Sequence, residues 1–208
     1  MNLALELRPK TLDELLGQDH IKPAIRKNIE RGCQRWLFHG PTGTGKTSLA
    51  FIVARELGSE EVLELNAAEQ GIEEVTDLVN QIRCYPMHGK YRVIILDEAQ
   101  ALTDAAKSAL LKPLENDSDP VNVWILCTMD ETKLHRALKD RCTSFKLKKM
   151  GPQERRELVA RAAKHLGYTD DTRRFLREID AKELFSARDI LASFEKHADG
   201  MSAEDAVA

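Results

Sequence analysis

A glycine-rich stretch near the start of the chain carries the residues best suited to bind phosphate. It runs from Gly40 to Thr47 and fits the pattern G-x-x-x-x-G-K-[ST], with an apolar run before it and helical spacing after it. Glycines let backbone N–H groups approach phosphate oxygens at the positive end of a helix, and Lys46 adds a point charge. The Thr47 hydroxyl can bind a magnesium ion that bridges the outer phosphates. The candidate nucleotide-contacting residues of this loop are Pro41, Thr42, Gly43, Thr44, Gly45, Lys46, Thr47 and Ser48.

Two carboxylates, Asp97 and Glu98, follow a second apolar run at residues 92–96. Such a run indicates a strand that is buried on both faces of a parallel sheet, and ligands bind at the carboxyl ends of such strands. We expect Asp97 to hold magnesium through its water shell, and Glu98 to orient and deprotonate the water that attacks the terminal phosphate. With Ala99 and Gln100 the two carboxylates spell a helicase box, but no companion helicase motif accompanies it.

Strands alternate with helices in the pattern up to about residue 149. Strands are predicted at 36–38, 62–66, 92–98, 121–128 and 143–147, and helices at 11–16, 20–30, 47–57, 71–83, 104–115 and 131–139. A turn is predicted at 116–120, and Pro113 is expected to kink or end its helix near Lys112. This order predicts an α/β fold in which helices sandwich a parallel sheet.

From Met150 onward only helical periodicity remains, in segments near 153–166, 171–180 and 187–198. We therefore predict a nucleotide-binding domain over residues 1–149 and a small all-α domain over residues 150–208. The residues expected to form the core of the small domain are Leu158, Phe175, Leu176, Ile190, Leu191 and Phe194.

The charge of the chain gives no global argument for binding nucleic acid or a membrane, because 31 Lys+Arg stand against 34 Asp+Glu, a net charge of -3. A local basic group, Lys146, Lys148 and Lys149, fits either a solvated linker or a DNA contact.

The cysteines and the apolar runs exclude further classes. The 4 cysteines contain no C-x-x-C pair, so we expect reduced thiols rather than a zinc site. No apolar run approaches the roughly 18 residues of a membrane helix, and the N-terminus lacks a signal-peptide pattern. These features predict a soluble intracellular protein.

Taken together, the motifs resemble the AAA+ ATPases, and in detail the clamp-loader subunits, both the small subunits of replication factor C and the bacterial gamma type. Residues 63–68 and 71–72 are similar to the LELNAS…GI stretch of that family, and residues 91–102 resemble its DEAD/DEVH corner. Residues 130–142 resemble the segment that ends in Ser-Arg-Cys. The resemblance covers about residues 3–198, and it implies an AAA+ domain followed by a helical lid.

The resemblance also implies roles for residues that lie outside the two central motifs. It places Arg141 in the arginine position that reaches into the ATP of a neighbouring subunit, and it places Arg188 over the phosphates of its own site. The candidate catalytic residues are then Lys46, Asn66, Glu98, Thr128, Arg141 and Arg188. The residues that resemble the adenine-side box are Arg8, Pro9, Leu16, Gly17 and Gln18.

Several positions depart from the family pattern. Asp140 replaces the usual serine before Arg141 and could hold that arginine or partly neutralise it, so a surface pair of the two is the alternative to a finger. Either Met129 or Thr128 occupies the first sensor position. The sequence ends at Ala208, before a third, collar domain, either by nature or by truncation, and it contains no zinc module, which favours the replication-factor or phage type.

Residues 109–115 resemble the clamp-facing helix of the family. Leu110 and Leu114 are either core residues or, if Pro113 bends the helix, anchors for a partner.

The function implied by the resemblance is that of an ATPase subunit of a DNA-replication clamp loader. It would use ATP and Mg²⁺, couple ATP binding to clamp opening and hydrolysis to clamp release, and act with a sliding clamp, primer-template DNA and other loader subunits. Its expected location is cytoplasmic, or nuclear or nucleoid-associated, without a membrane partner. The alternatives are a Holliday-junction branch-migration or other remodelling ATPase, which the opening LRPKTLDELLGQ also resembles, and a non-hydrolysing scaffold subunit.

Overall fold

The computed structural model describes residues 2–69, 71–86, 88–115 and 121–207. Within these ranges, five parallel strands form one sheet in the order β2-β3-β4-β1-β5. The strands are β1 (Arg35–His39), β2 (Glu61–Asn66), β3 (Arg92–Asp97), β4 (Asn122–Thr128) and β5 (Thr143–Lys146). All five correspond to predicted strands, whereas the predicted turn at 116–120 lies outside the described residues.

Helices lie between the strands and form most of the described chain after β5. They are α1 (Leu3–Glu6), α2 (Lys22–Glu30), α3 (Lys46–Glu56), α4 (Ile72–Gln81), α5 (Asp104–Glu115), α6 (Arg136–Lys139), α7 (Pro152–Leu166), α8 (Arg173–Ala181), α9 (Ala187–Ala198) and α10 (Ala203–Ala206). The sequence patterns did not indicate α1 or α10. Within the described ranges, none of the helices combines the length and the apolar character that crossing a bilayer requires.

The central strands are apolar because helices cover both faces of the sheet. On one face, Leu96 of β3 and Leu126 of β4 share a core cluster with side chains of α4 and α5. Side chains alternate along a strand, so Ile95 and Ile125, both fully buried, point to the opposite face. There α3 packs against β1, β3 and β4. This arrangement confirms the predicted helix-sandwiched parallel sheet.

The carboxyl ends of the strands lie along one edge of the sheet because all strands run in the same direction. β1 lies between β4 and β5, and His39 at the end of β1 is opposite Thr128 at the end of β4. Asp97 ends the neighbouring strand β3. The glycine-rich loop therefore leaves β1 at the edge where Asp97 and Thr128 also lie.

A buried arginine joins three strands at the other end of the sheet. Arg92, only 3% exposed, begins β3 and forms an ion pair with Glu61 at the start of β2. Its Nη1 donates to the Cys84 carbonyl oxygen at 2.8 Å and to Oδ1 of Asn122, in β4, at 3.5 Å. The buried charge is thus both paired and hydrogen-bonded, as burial of a charge requires.

The predicted short helix at 11–16 is a turn. Its two capping hydrogen bonds form, since Thr11 Oγ1 accepts from Glu14 N at 3.2 Å and Glu14 Oε2 accepts from Lys10 N at 2.7 Å. One helical bond follows, from Leu15 N to Thr11 O at 3.3 Å. A segment this short, confined before Gly17, has no room to propagate a helix after the costly first turn.

The predicted helix at 131–139 is divided in two. Residues Glu131–Lys133 form a single 3-10 turn, and α6 begins only at Arg136. Oδ1 of Asp130 accepts a hydrogen bond from Thr132 N at 2.9 Å, which favours a turn over a continuous helix. Leu134 and His135 are extended, with ψ values of 142° and 136°, and separate the two pieces.

Helix α5 spans Asp104–Glu115, as predicted, and continues through Pro113. Of the two effects expected of Pro113, a kink or an end near Lys112, the end is therefore wrong. Proline removes the donor of one bond to the carbonyl oxygen four residues earlier, and α5 extends only two residues beyond Pro113. Leu110 and Leu114 are both fully buried in the core cluster under α5. The interpretation of these two leucines as core residues is therefore confirmed, and the prediction that a kink exposes one of them is wrong.

Contacts divide the chain into two compact units. One contains the sheet and comprises Asp19–Pro41 and Lys46–Leu147, and the other is helical and comprises Met1–Gln18, Thr42–Gly45 and Lys148–Ala208. The division near residue 148 lies close to the predicted boundary at 149. The sequence did not indicate that the N-terminal segment and the centre of the glycine-rich loop group with the helices.

The helical unit has its own apolar core, which includes the N-terminal segment. Leu3 of α1 is fully buried in a cluster with Phe175 and Phe194. Arg161 of α7 donates to the Glu14 carbonyl oxygen at 2.7 Å, which also ties the segment to this unit. The predicted core residues Leu158, Phe175, Ile190, Leu191 and Phe194 are buried, and Leu176 is partly buried against them.

Candidate active site

At the first position of the glycine-rich loop, only glycine fits the backbone and its surroundings. Gly40 has a φ of +145°, and its N–H donates to the Thr128 carbonyl oxygen at 3.2 Å. A Cβ atom at this position would lie 2.4 Å from the Leu147 carbonyl oxygen. Backbone atoms cannot yield to such a contact, so the loop can pass this close to the ends of β4 and β5 only without a side chain.

A second glycine, Gly43, is required within the helical unit. Its φ is +73°, and a Cβ atom would lie 2.1 Å from Ser186 Oγ. The Gly43 carbonyl oxygen accepts a hydrogen bond from Ala187 N, at the start of α9, at 3.4 Å. The middle of the loop is therefore in direct contact with the first turn of α9.

Lys46 begins α3, and its ammonium group is buried beside the loop. The residue is 7% exposed, and Nζ donates to the carbonyl oxygens of Gly40 at 2.8 Å and Pro41 at 3.0 Å. Burial lowers the pKa of Lys46, while the charges of Glu98 and Asp97 oppose this effect. Neutral carbonyl oxygens do not neutralise a buried cation, whereas a phosphate group supplies an opposite charge, so the loop fits a phosphate ligand.

Thr47 and Asp97 form the pair that suits a magnesium ion. Thr47 Oγ1 donates to Asp97 Oδ2 at 2.5 Å, and Asp97 Oδ1 accepts from the backbone N–H of Glu98 at 2.9 Å. Both side chains present oxygen, the ligand that Mg²⁺ prefers, and Mg²⁺ commonly takes few protein ligands together with phosphates and water. In the described residues no cluster of three His, Cys, Asp or Glu side chains could hold a metal ion by itself.

A glutamine that the motif analysis set aside connects Glu98 to the end of β4. Gln100 Nε2 donates a short hydrogen bond to Glu98 Oε2, and Gln100 Oε1 accepts from Thr128 Oγ1 at 2.7 Å. The same oxygen accepts from Met129 N at 3.1 Å. No local sequence signal indicated this role, because Thr128 lies 28 residues further along the chain.

The geometry distinguishes the two candidates for the first sensor position. Thr128 is fully buried, and its hydroxyl belongs to the hydrogen-bond network with Gln100 and Asp130. The Met129 side chain is 44% exposed, and only its backbone N–H reaches Gln100. Thr128 therefore has the polar side chain that Gln100 connects to Glu98, and its sensor role stays a prediction.

The adenine-side candidates lie in the helical unit and have local contacts there. The Gln18 side chain binds the Lys148 backbone twice, with Nε2 donating to its oxygen at 2.7 Å and Oε1 accepting from its N–H at 3.0 Å. Leu16 packs against the core of this unit, and Gly17 has a φ of +67°. Arg8 and Pro9 are half-buried just before this segment. A nucleotide contact by these residues remains a prediction.

Asn66 and Arg188 are also predicted catalytic residues. The side chain of Asn66 supports the turn after β2, where Nδ2 donates to Glu69 Oε1 at 2.8 Å and Oδ1 accepts from Ala68 N at 3.1 Å. Arg188 is exposed in the first turn of α9, next to Ala187, which contacts Gly43. Their catalytic roles are untested by these contacts.

Arg141 is held by a carboxylate other than the expected one. It forms an ion pair with Glu115 at the end of α5, and its Nη1 donates to the Ala137 carbonyl oxygen at 2.5 Å. Asp140 instead pairs with Arg136 at 3.4 Å, so the expectation that Asp140 holds Arg141 is wrong. The side chain of Arg141 remains 28% exposed.

Comparison with known sequences gives consistent matches to one group of proteins. A family model described as "DNA polymerase III, delta subunit" matches residues 60–151. Replication factor C subunit 3 of Saccharomyces cerevisiae is 39% identical over 158 residues, covering 71% of this chain and 45% of the relative. Replication factor C subunit 4 of Homo sapiens is 30% identical over 204 residues, covering 89% of this chain and 56% of the relative. The chain thus spans about half the length of the curated relatives that it matches.

Comparison with solved structures identifies the same fold in a second group. The Holliday junction branch migration motor RuvB of Thermotoga maritima matches with a TM-score of 0.68 and 21% identity. The match covers 95% of this chain and 74% of the RuvB chain. At this level of identity the likeness concerns the fold alone, and it confirms the predicted α/β fold.

We expect Gly43→Ala to lower the free energy of unfolding by about 3 kcal/mol, from about 1 kcal/mol of left-handed backbone strain and about 2 kcal/mol of overpacking against Ser186. The matched control is Gly167→Ala in the same helical unit, because Gly167 has a φ of +66° and no atom near its absent Cβ. It should show the backbone strain only. Urea denaturation followed by circular dichroism measures both changes. Equal losses for the two variants would contradict the close contact with Ser186.

Proposed function

Because the chain is a member of the clamp-loader family of AAA+ proteins, we propose that it binds ATP with Mg²⁺ and hydrolyses it to ADP and phosphate. The observation that carries the proposal is the direct contact of Thr47 with Asp97, with Glu98 next in sequence at the end of the same strand. This arrangement brings two oxygen ligands for a cation and one further carboxylate to the edge of the sheet where the phosphate loop begins. Such a set is what hydrolysis of a phosphoanhydride requires.

Each residue of this set has one task in the proposed reaction. Lys46 gives up its contacts with loop carbonyl oxygens and offers its charge to the phosphates, while Thr47 and Asp97 would hold Mg²⁺. When bound, Mg²⁺ neutralises charge that develops on the outer phosphates. Glu98 takes a proton from the attacking water, and Thr128 orients the groups around the terminal phosphate.

The other predicted site residues complete the proposal. Arg188 would contact the phosphates from the first turn of α9, and Asn66 would assist at the end of β2. The adenine end of ATP would be bound by the segment from Arg8 to Gln18. Support for these roles comes from the family resemblance, and each is a proposal for this chain.

We further propose that the ATPase serves as a subunit of a sliding-clamp loader. ATP binding would organise an assembly with other loader subunits and open the clamp, and hydrolysis on primer-template DNA would release it. The support is the similarity to replication factor C subunits from yeast and human. The exposed Lys146, Lys148 and Lys149 would be candidates for the DNA contact.

The two alternative functions have less support. The likeness to the RuvB branch-migration motor is one of fold, at 21% identity, whereas the replication factor C relatives reach 39%. A non-hydrolysing scaffold subunit would not need a candidate base, yet Glu98 is present and is held by a hydrogen bond.

The role of Arg141 in a neighbouring subunit is a separate proposal. Its support is positional, since Arg141 ends the segment that follows the sensor strand β4, and its side chain is partly exposed. An arginine finger stabilises charge in the transition state and can raise the rate by roughly a thousandfold or more. In this account the pair with Glu115 holds the guanidinium ready at the surface.

We expect Lys46→Ala to abolish nucleotide binding, because the variant loses the cation at the phosphate loop. Glu98→Gln should bind MgATP normally and hydrolyse it about 100-fold or more slowly, since it keeps the shape of the site but lacks the base. Titration with a fluorescent ATP analogue and phosphate-release assays measure the two properties. Lys27→Ala, an exposed lysine of α2, is the matched control and should resemble the wild type. Tight binding by Lys46→Ala, or normal turnover by Glu98→Gln, would contradict the proposed site.

The finger is tested by mixing two inactive variants. Glu98→Gln has no base but keeps its arginine, and Arg141→Ala has an intact base but no finger. If Arg141 acts in a neighbouring subunit, the mixture should regain ATPase activity that neither variant has alone. Arg136→Ala, which removes a more exposed arginine of the same segment, is the control and should retain activity. Normal turnover by Arg141→Ala alone, or activity independent of protein concentration, would contradict this mechanism.

A further inference from the structure

Gln100 lies in the single 3-10 turn, Ala99–Ala101, that follows β3, and its side chain spans the gap to β4. Its amide nitrogen faces Glu98 and its amide oxygen faces Thr128. The contacts therefore join the candidate base to the candidate sensor through one side chain.

The orientation of the amide follows from the hydrogen-bonding groups around it. The oxygen meets two donors, the Thr128 hydroxyl at 2.7 Å and the Met129 backbone N–H at 3.1 Å. The nitrogen meets the Glu98 carboxylate, which when ionised can only accept. A flipped amide would place its oxygen against this carboxylate and its N–H₂ against an N–H donor. Only a side chain with both a donor and an acceptor satisfies the two ends together.

The Glu98 backbone has an uncommon conformation beside this contact. Glu98 has φ 51° and ψ 37°, a left-handed conformation that residues with a side chain rarely adopt. This conformation ends the extended backbone of β3 directly after Asp97. The hydrogen bond to Oε2 then limits the rotation of the carboxylate, which leaves Oε1 to accept a proton from water.

At the other end of the Gln100 side chain, Thr128 is buried and hydrogen-bonded. Thr128 is fully buried at the end of β4, and its hydroxyl also contacts the backbone of Asp130, with its oxygen accepting from Asp130 N at 3.2 Å. A displacement of the Thr128 hydroxyl would therefore change its hydrogen bond to Gln100 and, through Gln100, the position of the Glu98 carboxylate.

We propose that Gln100 is a positioning residue that fixes the Glu98 carboxylate and couples its orientation to Thr128. This inference rests on the proposed ATPase function, in which Glu98 is the base. In the step that it supports, the water oxygen bonds to the terminal phosphorus, the bond from that phosphorus to the bridging oxygen breaks, and the water proton passes to Glu98 Oε1. Gln100 is unchanged throughout and keeps its hydrogen bond to Oε2.

The alternative is a local tie that only stabilises the turn after β3. Loss of a purely stabilising contact would affect folding or nucleotide affinity. The size of its effect would not depend on whether residue 98 is Glu or Gln. A positioning role instead acts through Glu98, so the effect of removing Gln100 should depend on the presence of the carboxylate.

The test compares the ATPase rates of Gln100→Ala and Gln100→Glu with that of the wild type under identical conditions. Gln100→Ala should lower kcat about 10- to 100-fold, the scale of a misplaced catalytic group, and leave the dissociation constant of a slowly hydrolysed ATP analogue within about twofold. Gln100→Glu should lower kcat further, because a second carboxylate repels Glu98. Gln153→Ala, an exposed glutamine of α7, is the matched control and should leave kcat unchanged.

The decisive comparison repeats Gln100→Ala on the Glu98→Gln background. There it should change kcat less than twofold, because the carboxylate that it positions is already absent. An unchanged or raised kcat of Gln100→Ala alone, or the same fold-loss on both backgrounds, would overturn the positioning role. A wild-type protein without turnover under these conditions would instead refute the proposed ATPase, and the inference with it.

Discussion

One row of hydrogen bonds at the edge of the sheet determines what this site can do. It runs from Thr47 to Asp97, continues to Glu98 through the backbone, and reaches Thr128 through Gln100. Its members come from α3, from the end of β3 and from the end of β4, and they meet only because the strands are parallel. A candidate cation site and a candidate base are thereby held next to each other.

The sheet imposes its geometry on the loop as well as on the carboxylates. β1 lies between β4 and β5, so the backbone that leaves β1 must pass the Leu147 carbonyl oxygen at a distance that excludes any Cβ atom. Gly40 satisfies this requirement, and Gly43 satisfies a similar one against Ser186. Close packing therefore requires glycine at these two loop positions, independently of phosphate binding. The ammonium group of Lys46 is buried against neutral loop carbonyl oxygens, and a phosphate would supply the opposite charge that it lacks there.

The sequence was sufficient to predict features that depend on neighbouring residues and insufficient for those that join distant ones. Short apolar runs and the spacing of residues predicted the five strands, the glycine-rich loop after β1 and the position of Asp97. The contact of Gln100 with Thr128 crosses from β3 to β4, and the pair of Arg141 with Glu115 spans 26 residues, so no local pattern indicated either. Periodicity assigned Leu110 and Leu114 to one face of α5 but could not determine what covers that face.

The central claim is that Thr47 and Asp97 together hold Mg²⁺ for a bound nucleotide. The most direct measurement is the dissociation constant of a slowly hydrolysed ATP analogue, with and without Mg²⁺, for the wild type and for Asp97→Asn. If the two residues hold the ion, Mg²⁺ should strengthen binding to the wild type about tenfold or more, as expected when a metal bridges protein and phosphates. The variant Asp97→Asn should lose this gain and bind like the wild type without metal. An equal gain from Mg²⁺ in both proteins would contradict the claim.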